Sequence, residues 1–145
     1  SVELLEVWQG FNAGPKEVDL VAIGSPHASL AECRIFADAL GGKTVLVDTI
    51  VTVGRDVLAQ MRDLDVVALL EKSGVQIIPD ICWCSITEPQ FPPTAKVLMT
   101  NSGKYAHYAD GLTGRAVRFG SLADCAQAAL IGVAPTQPPT WLTTA

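Results

Sequence analysis

Cys82 and Cys84 stand one residue apart in "PDICWCSITEPQ", at the end of an apolar run and just before a proline-bounded loop. In an extended segment residues i and i+2 point the same way, with alpha carbons roughly 6.5–7 Å apart. That separation is at or beyond the limit for an easy disulfide. Two thiolates on one side of a loop can instead reach a shared iron–sulfur cluster or metal, although cluster ligation usually draws on more cysteines than this loop provides. From the spacing alone, buried thiols and metal ligation both stay open.

Three further groups have chemical potential. In "GSPHAS" Ser25 and His27 fall in a strand-to-helix turn, where backbone N–H groups and the helix dipole favour an anion. A histidine there can donate to a carboxylate or act as acid or base near neutral pH; the plainer alternative is a capping histidine in a proline turn. In "TNSGKYAHYADG" Asn101, Ser102 and the amides around Gly103 suggest a second anion cradle, with Lys104 adding charge. Gly103 permits close backbone approach. His107 and Tyr108, one helical turn on, read as packed or hydrogen-bonded. Arg55, at a strand end, has the fork to clamp a carboxylate in bidentate fashion, whereas Arg115 and Arg118 flank a strand and read as surface residues. Neither a P-loop nor Gly-x-Gly-x-x-Gly occurs, so dinucleotide binding has no support.

These residues must be positioned by the elements between them. "EVDLVAIG" reads as a buried strand, and "SLAECRIFADALGG" as a helix with a Ser29/Glu32 capping box and a glycine stop. Strands are expected near 18–23, 44–48, 75–79, 96–100 and 116–119. Residues 2–9 form a first helix, residues 54–74 one or two more, and "SLADCAQAALIG" the last. A short helix capped by Ser102 is expected between the fourth and fifth strands. Alternating strands and helices imply a parallel sheet covered on both faces. The expected fold is therefore α/β, a doubly wound (flavodoxin/Rossmann-like) three-layer α/β/α arrangement with a mainly parallel sheet of four to five strands, in the order 2-1-3-4-5. Residues 1–133 make one domain and 134–145 a proline-rich tail. Ligands of such sheets sit beyond the carboxyl ends of the strands. Ser25 and His27, Thr49 to Arg55, Cys82 and Cys84, and Asn101 to Lys104 all fall there.

Composition narrows the classes. The chain has 145 residues, 49% hydrophobic and 17% charged, which suits one globular domain with a proper core. A net charge of −5 without a basic cluster argues against nucleic acid, and no apolar run approaches the roughly 20 residues of a membrane span. The chain opens on acidic "SVELLEVWQG" without Met or a signal pattern, and is expected to be one piece of something longer. Cys33 shares a helical face with Leu30, Ala37 and Leu40, and Cys125 shares one with Leu122 and Ala129. Both read as core thiols, which favours a reducing, cytoplasmic setting.

Taken together, "IGSPHASLAE", "DICWC" and "MTNSGKYAHYADGLTGRAVRFGSLADC" resemble the carboxyl-terminal part of the aconitase X large-subunit domain, a branch of the aconitase superfamily. The likeness runs from about Val18 to Ala129. It implies a hydro-lyase similar to cis-3-hydroxy-L-proline dehydratases, with the mevalonate 5-phosphate dehydratase branch as the alternative. A non-catalytic α/β ligand-binding or interaction domain is the rival from another class. The resemblance implies an iron–sulfur cluster or iron, with Cys82 the ligand and Cys84 a second cofactor-binding candidate of the "CWC" form. It gives His27 and Ser25 catalytic roles in the "GSPH" turn and Asn101 and Ser102 substrate-binding ones at "TNS"; Lys104 and Arg55 join these as substrate-binding candidates on their own charge. Its implied partners are a small hydroxy acid, the small swivel domain (the usual source of the base, a serine) and the rest of the large domain. The isolated chain is then expected to fold but to be colourless, metal-free and inactive.

Overall fold

The computed structural model describes residues 2–12, 16–24, 27–80, 96–102 and 116–136. Five strands, β1 (Leu20–Ile23), β2 (Asp48–Val53), β3 (Gln76–Pro79), β4 (Val97–Thr100) and β5 (Ala116–Phe119), form one sheet in the order β3-β2-β1-β4-β5. Every neighbouring pair is parallel. The described helices are α1 (Val2–Phe11), α2 (Leu30–Leu40), α3 (Arg55–Asp63), α4 (Val66–Lys72) and α5 (Leu122–Ile131).

The order corrects the expected 2-1-3-4-5. Burial explains it. All four residues of β1 and of β4 are buried, so these strands fill the centre. In β3 Gln76 and Pro79 are exposed, and a proline-bearing, half-wet strand suits an edge. The chain therefore runs outward from β1 to β2 to β3 and reverses only on the way to β4. The topological switch point lies between β1 and β4.

β2 also begins later than the expected 44–48. The run "KTVLVDTIVTV" carries no internal stop, and pairing with β1 selects its second half, Leu20 lying opposite Asp48 and Ile23 opposite Val51. The first half does other work. The N–H groups of Leu46 and Val47 donate to the carbonyl oxygen of Ala129 at 2.7 and 3.3 Å, meeting a carbonyl near the end of α5 that has no partner within its helix. Thr49 to Val53 thus belong to the strand, not to a site loop, and Thr49 and Thr52 are buried.

Period-two alternation sends the two faces of the sheet into separate cores. Val21, Ile23, Val51, Val53 and Met99 pack with Cys33, Phe36, Leu40, Met61, Leu70 and Cys125 from the helices. Leu20, Ala22, Ile50, Ile78 and Leu98 form the second cluster. Helix α2 packs against both α4 and α5, and α1 lies by edge strand β5. The boundaries of α2 follow from its capping box, with both Ser29 and Glu32 engaged, and from Gly41 at φ 60°. Helix α5 repeats the device with Ser121, Asp124 and Gly132.

Arg118 corrects the surface reading. It is 4% exposed and donates through Nη1 to the Asn12 carbonyl at 2.6 Å and through Nη2 to the Pro135 carbonyl at 2.9 Å. Burial lowers its pKa. Asn12 in turn accepts from the Phe119 N–H at 2.9 Å, which closes part of the β5 edge.

Candidate functional site

The carboxyl ends of the strands deliver polar groups to one edge of the sheet. Gly24 ends β1 at φ 89°, and a Cβ there would lie 2.7 Å from both Ala28 N and Thr52 O. Only glycine fits this backbone crossing. The buried Thr52 hydroxyl donates to the Gly24 carbonyl at 3.0 Å, and Ala28 N–H donates to the Thr52 carbonyl at 2.8 Å. These bonds fix where the chain turns from β1 toward α2, and so where His27 stands.

His27 is exposed and lines a crevice of about 520 Å³ with Ser29, Gly54, Arg55, Asp56 and Asp80. Gly54 is the N-cap of α3 and has no side-chain cap bond; a Cβ on it would lie 3.8 Å from His27 Nδ1. The first turn of α3 therefore opens beside the imidazole, where its N–H groups favour an anion. Arg55 pairs with Asp80 through Nε and Oδ2, both side chains being substantially exposed. Asp80 closes β3 at φ 65° and donates its N–H to the Val53 carbonyl at 2.8 Å.

Asn101 follows β4 and reaches across the switch point. Its Oδ1 accepts from Gly24 N–H at 3.4 Å, and its Nδ2 donates to Glu32 Oε2 at 3.3 Å. Ser102 N–H donates to the Thr100 hydroxyl at 3.1 Å. His27 and Arg55 thus share one crevice, and Asn101 is tied to the same cap of α2 that borders it. Ser25, Cys82, Cys84, Lys104, His107 and Tyr108 lie outside the described residues.

Sequence reasoning missed two participants. Asp80 was visible as an acid directly before "ICWC". Glu32 was visible only as a helix cap, because its bond to Asn101 spans 69 residues.

The described residues do not themselves make a metal centre. Among them no group of three or more His, Cys, Asp or Glu side chains could hold an ion. Cys33 and Cys125 are free and fully buried. Burial, with the charge of Glu32 adding, pushes the Cys33 thiol up to about 12. Burial and Asp124 likewise raise Cys125. Neither offers the thiolate that ligation needs. By chemistry the remaining candidates are Cys82 and Cys84, which lie outside the described residues. No described helix is long and apolar enough to cross a membrane.

A parallel sheet flanked by helices, with polar turns at the carboxyl ends of its strands, makes this an α/β domain. Residues 18–131 match the family described as the aconitase X third domain, and the chain belongs to the aconitase X family. It is 43% identical over 142 residues to the cis-3-hydroxy-L-proline dehydratase of Pseudomonas aeruginosa, covering 96% of this chain and 24% of that protein. It is 31% identical to the phosphomevalonate dehydratase large subunit of Methanosarcina mazei, covering 86% of this chain and 30% of that one. The crystal structure of Thermococcus kodakaraensis aconitase X in its holo form superposes with a TM-score of 0.76 at 29% identity, covering 88% of this chain and 33% of that chain. The chain thus spans under a third of the length of each of these two curated relatives.

Proposed function

We propose that this chain is the third domain of an aconitase X-type hydro-lyase that removes water from a small hydroxy acid, with cis-3-hydroxy-L-proline as substrate. The observation that carries the reading is the crevice that His27 and Arg55 share at the carboxyl ends of the strands, with Asn101 bonded to Glu32 in the cap of α2 beside it. The higher identity to the hydroxyproline enzyme, 43% against 31%, supports that substrate over mevalonate 5-phosphate.

Dehydration of a hydroxy acid needs an anchor for the carboxylate, a base for the proton and assistance to the leaving hydroxyl. In this reading Arg55 leaves Asp80 to grip the carboxylate, and Asn101, Ser102 and Lys104 hold the polar periphery. His27, with Ser25 beside it in the turn, donates to the substrate or moves a proton at its imidazole. Cys82 holds an iron–sulfur cluster or iron, with Cys84 as the second thiol, and that group supplies a Lewis acid when bound. The small swivel domain and the remainder of the large domain complete the site and bring the base. The buried, unpaired thiols Cys33 and Cys125 suit a reducing cytoplasmic setting.

The test is a side-by-side dehydration assay of cis-3-hydroxy-L-proline and mevalonate 5-phosphate by the complete protein. Turnover of the first is expected. Turnover of the second alone would move the protein to the other branch, and activity on neither would end the hydro-lyase reading.

A further inference from the structure

Glu32 uses both carboxylate oxygens, for different purposes. Oε1 accepts from the Ser29 N–H at 3.0 Å, the ordinary reciprocal bond of a capping box. Oε2 accepts from Asn101 Nδ2 at 3.3 Å, and Asn101 Oδ1 accepts from the Gly24 N–H at 3.4 Å. A carboxylate only accepts and a backbone N–H only donates. One orientation of the Asn101 amide therefore satisfies both neighbours, and the flipped one satisfies neither.

We infer that Glu32 is a positioning residue for the reaction: its second oxygen sets the orientation in which Asn101 meets the substrate. The inference rests on the reading of Asn101 as a substrate anchor. Capping alone does not need a carboxylate, since glutamine serves at the same helix position. What distinguishes glutamate from glutamine here is Asn101. The amide of an introduced glutamine, with its oxygen kept on Ser29 N–H, would set its NH₂ against the NH₂ of Asn101. Asn101 would then turn over and take its acceptor away from Gly24.

Non-additivity separates this role from a merely structural one. In the complete enzyme, Glu32→Gln is expected to lower kcat/KM by about 10- to 100-fold, the scale of a misplaced contact group. Its melting midpoint should stay within about 2 °C, because the cap acceptor survives. Asn101→Ala should cause a comparable kinetic loss, and adding Glu32→Gln to it should change kcat/KM less than about 2-fold. Glu32→Ala supplies the second variant. It lowers the melting midpoint by removing the reciprocal half of the capping box, yet at temperatures below every midpoint it should also add less than about 2-fold in the Asn101→Ala background.

Losses that multiply would overturn the inference, and so would a Glu32→Gln enzyme of full activity while Asn101→Ala is impaired. If Asn101→Ala itself is fully active, the substrate-anchor reading falls first and takes this inference with it.

Discussion

The Thr52 hydroxyl donates to the carbonyl oxygen of Gly24 at 3.0 Å, and a Cβ on Gly24 would stand 2.7 Å from the carbonyl oxygen of Thr52. Strands β1 and β2 are thus in contact at the point where the chain leaves the sheet for the candidate site. Gly24→Ala meets both a positive φ of 89° and a backbone clash that no side-chain rotation relieves. The expected loss is about 2–4 kcal/mol, combining left-handed strain with overpacking. Urea titration checks it. A midpoint equal to wild type would show that the turn relaxes freely and does not fix His27.

The buried thiols set a limit at alkaline pH. Cys33 is held protonated in the folded chain up to about 12, whereas an unfolded thiol ionises near 8.5. The unfolded state therefore binds fewer protons than the folded state across that window. Stability is fully present below pH about 8.5 and falls as pH rises toward 12, by up to about 1.4 kcal/mol per pH unit for this thiol. Cys33→Ala should lower stability at pH 7 but flatten the alkaline slope. Denaturation series at pH 8, 9 and 10 read both effects, and an unchanged slope would show that Cys33 ionises freely in the folded chain.

Much of the fold was legible in residue pattern, and the exceptions have physical reasons. Both capping boxes, at Ser29 and Ser121, and the buried roles of Cys33 and Cys125 follow from local chemistry that acts over three or four residues. The start of β2 did not, because "KTVLVDTIVTV" carries no internal stop and only pairing with β1 chooses Asp48. Strand order depends on where the chain reverses, which is a property of the whole sheet. Arg118 looked superficial because its two carbonyl acceptors, on Asn12 and Pro135, are supplied by chain remote in sequence or beyond the last helix. At the site, His27 and Arg55 line one crevice at the carboxyl ends of the strands. The double use of Glu32 needed coordinates.

Arg55 provides a kinetic test of that crevice. Its pairing with Asp80 is exposed, so breaking it should cost at most about 1 kcal/mol of stability. If Arg55 grips the substrate carboxylate equally in ground and transition states, Arg55→Ala in the complete enzyme raises KM about 10-fold with little change in kcat. Asp80→Asn should act in the opposite sense, lowering KM by releasing the guanidinium from its competitor. Unchanged KM in both variants would reduce the pair to a surface contact.

Iron content tests the cysteines. The larger apolar cluster joins strand and helix residues and the second is built from strand residues, so the fold has a source of stability separate from any metal. Cys82→Ser in the complete protein should then abolish bound iron, measured per chain after anaerobic preparation, while circular dichroism and the melting midpoint change little. Cys33→Ala is the control: its thiol is fully buried and held protonated, so iron should be retained. Cys84→Ser should fall between them if its thiol is a second ligand, because losing one donor weakens chelation without removing the principal one. The 145-residue chain alone should fold, yet be colourless and inactive in air, since one or two thiolates leave a cluster under-ligated and open to oxidation. Full iron content in the Cys82→Ser protein would show that thiol to be a bystander, and turnover by the isolated chain would place the whole active site within these residues.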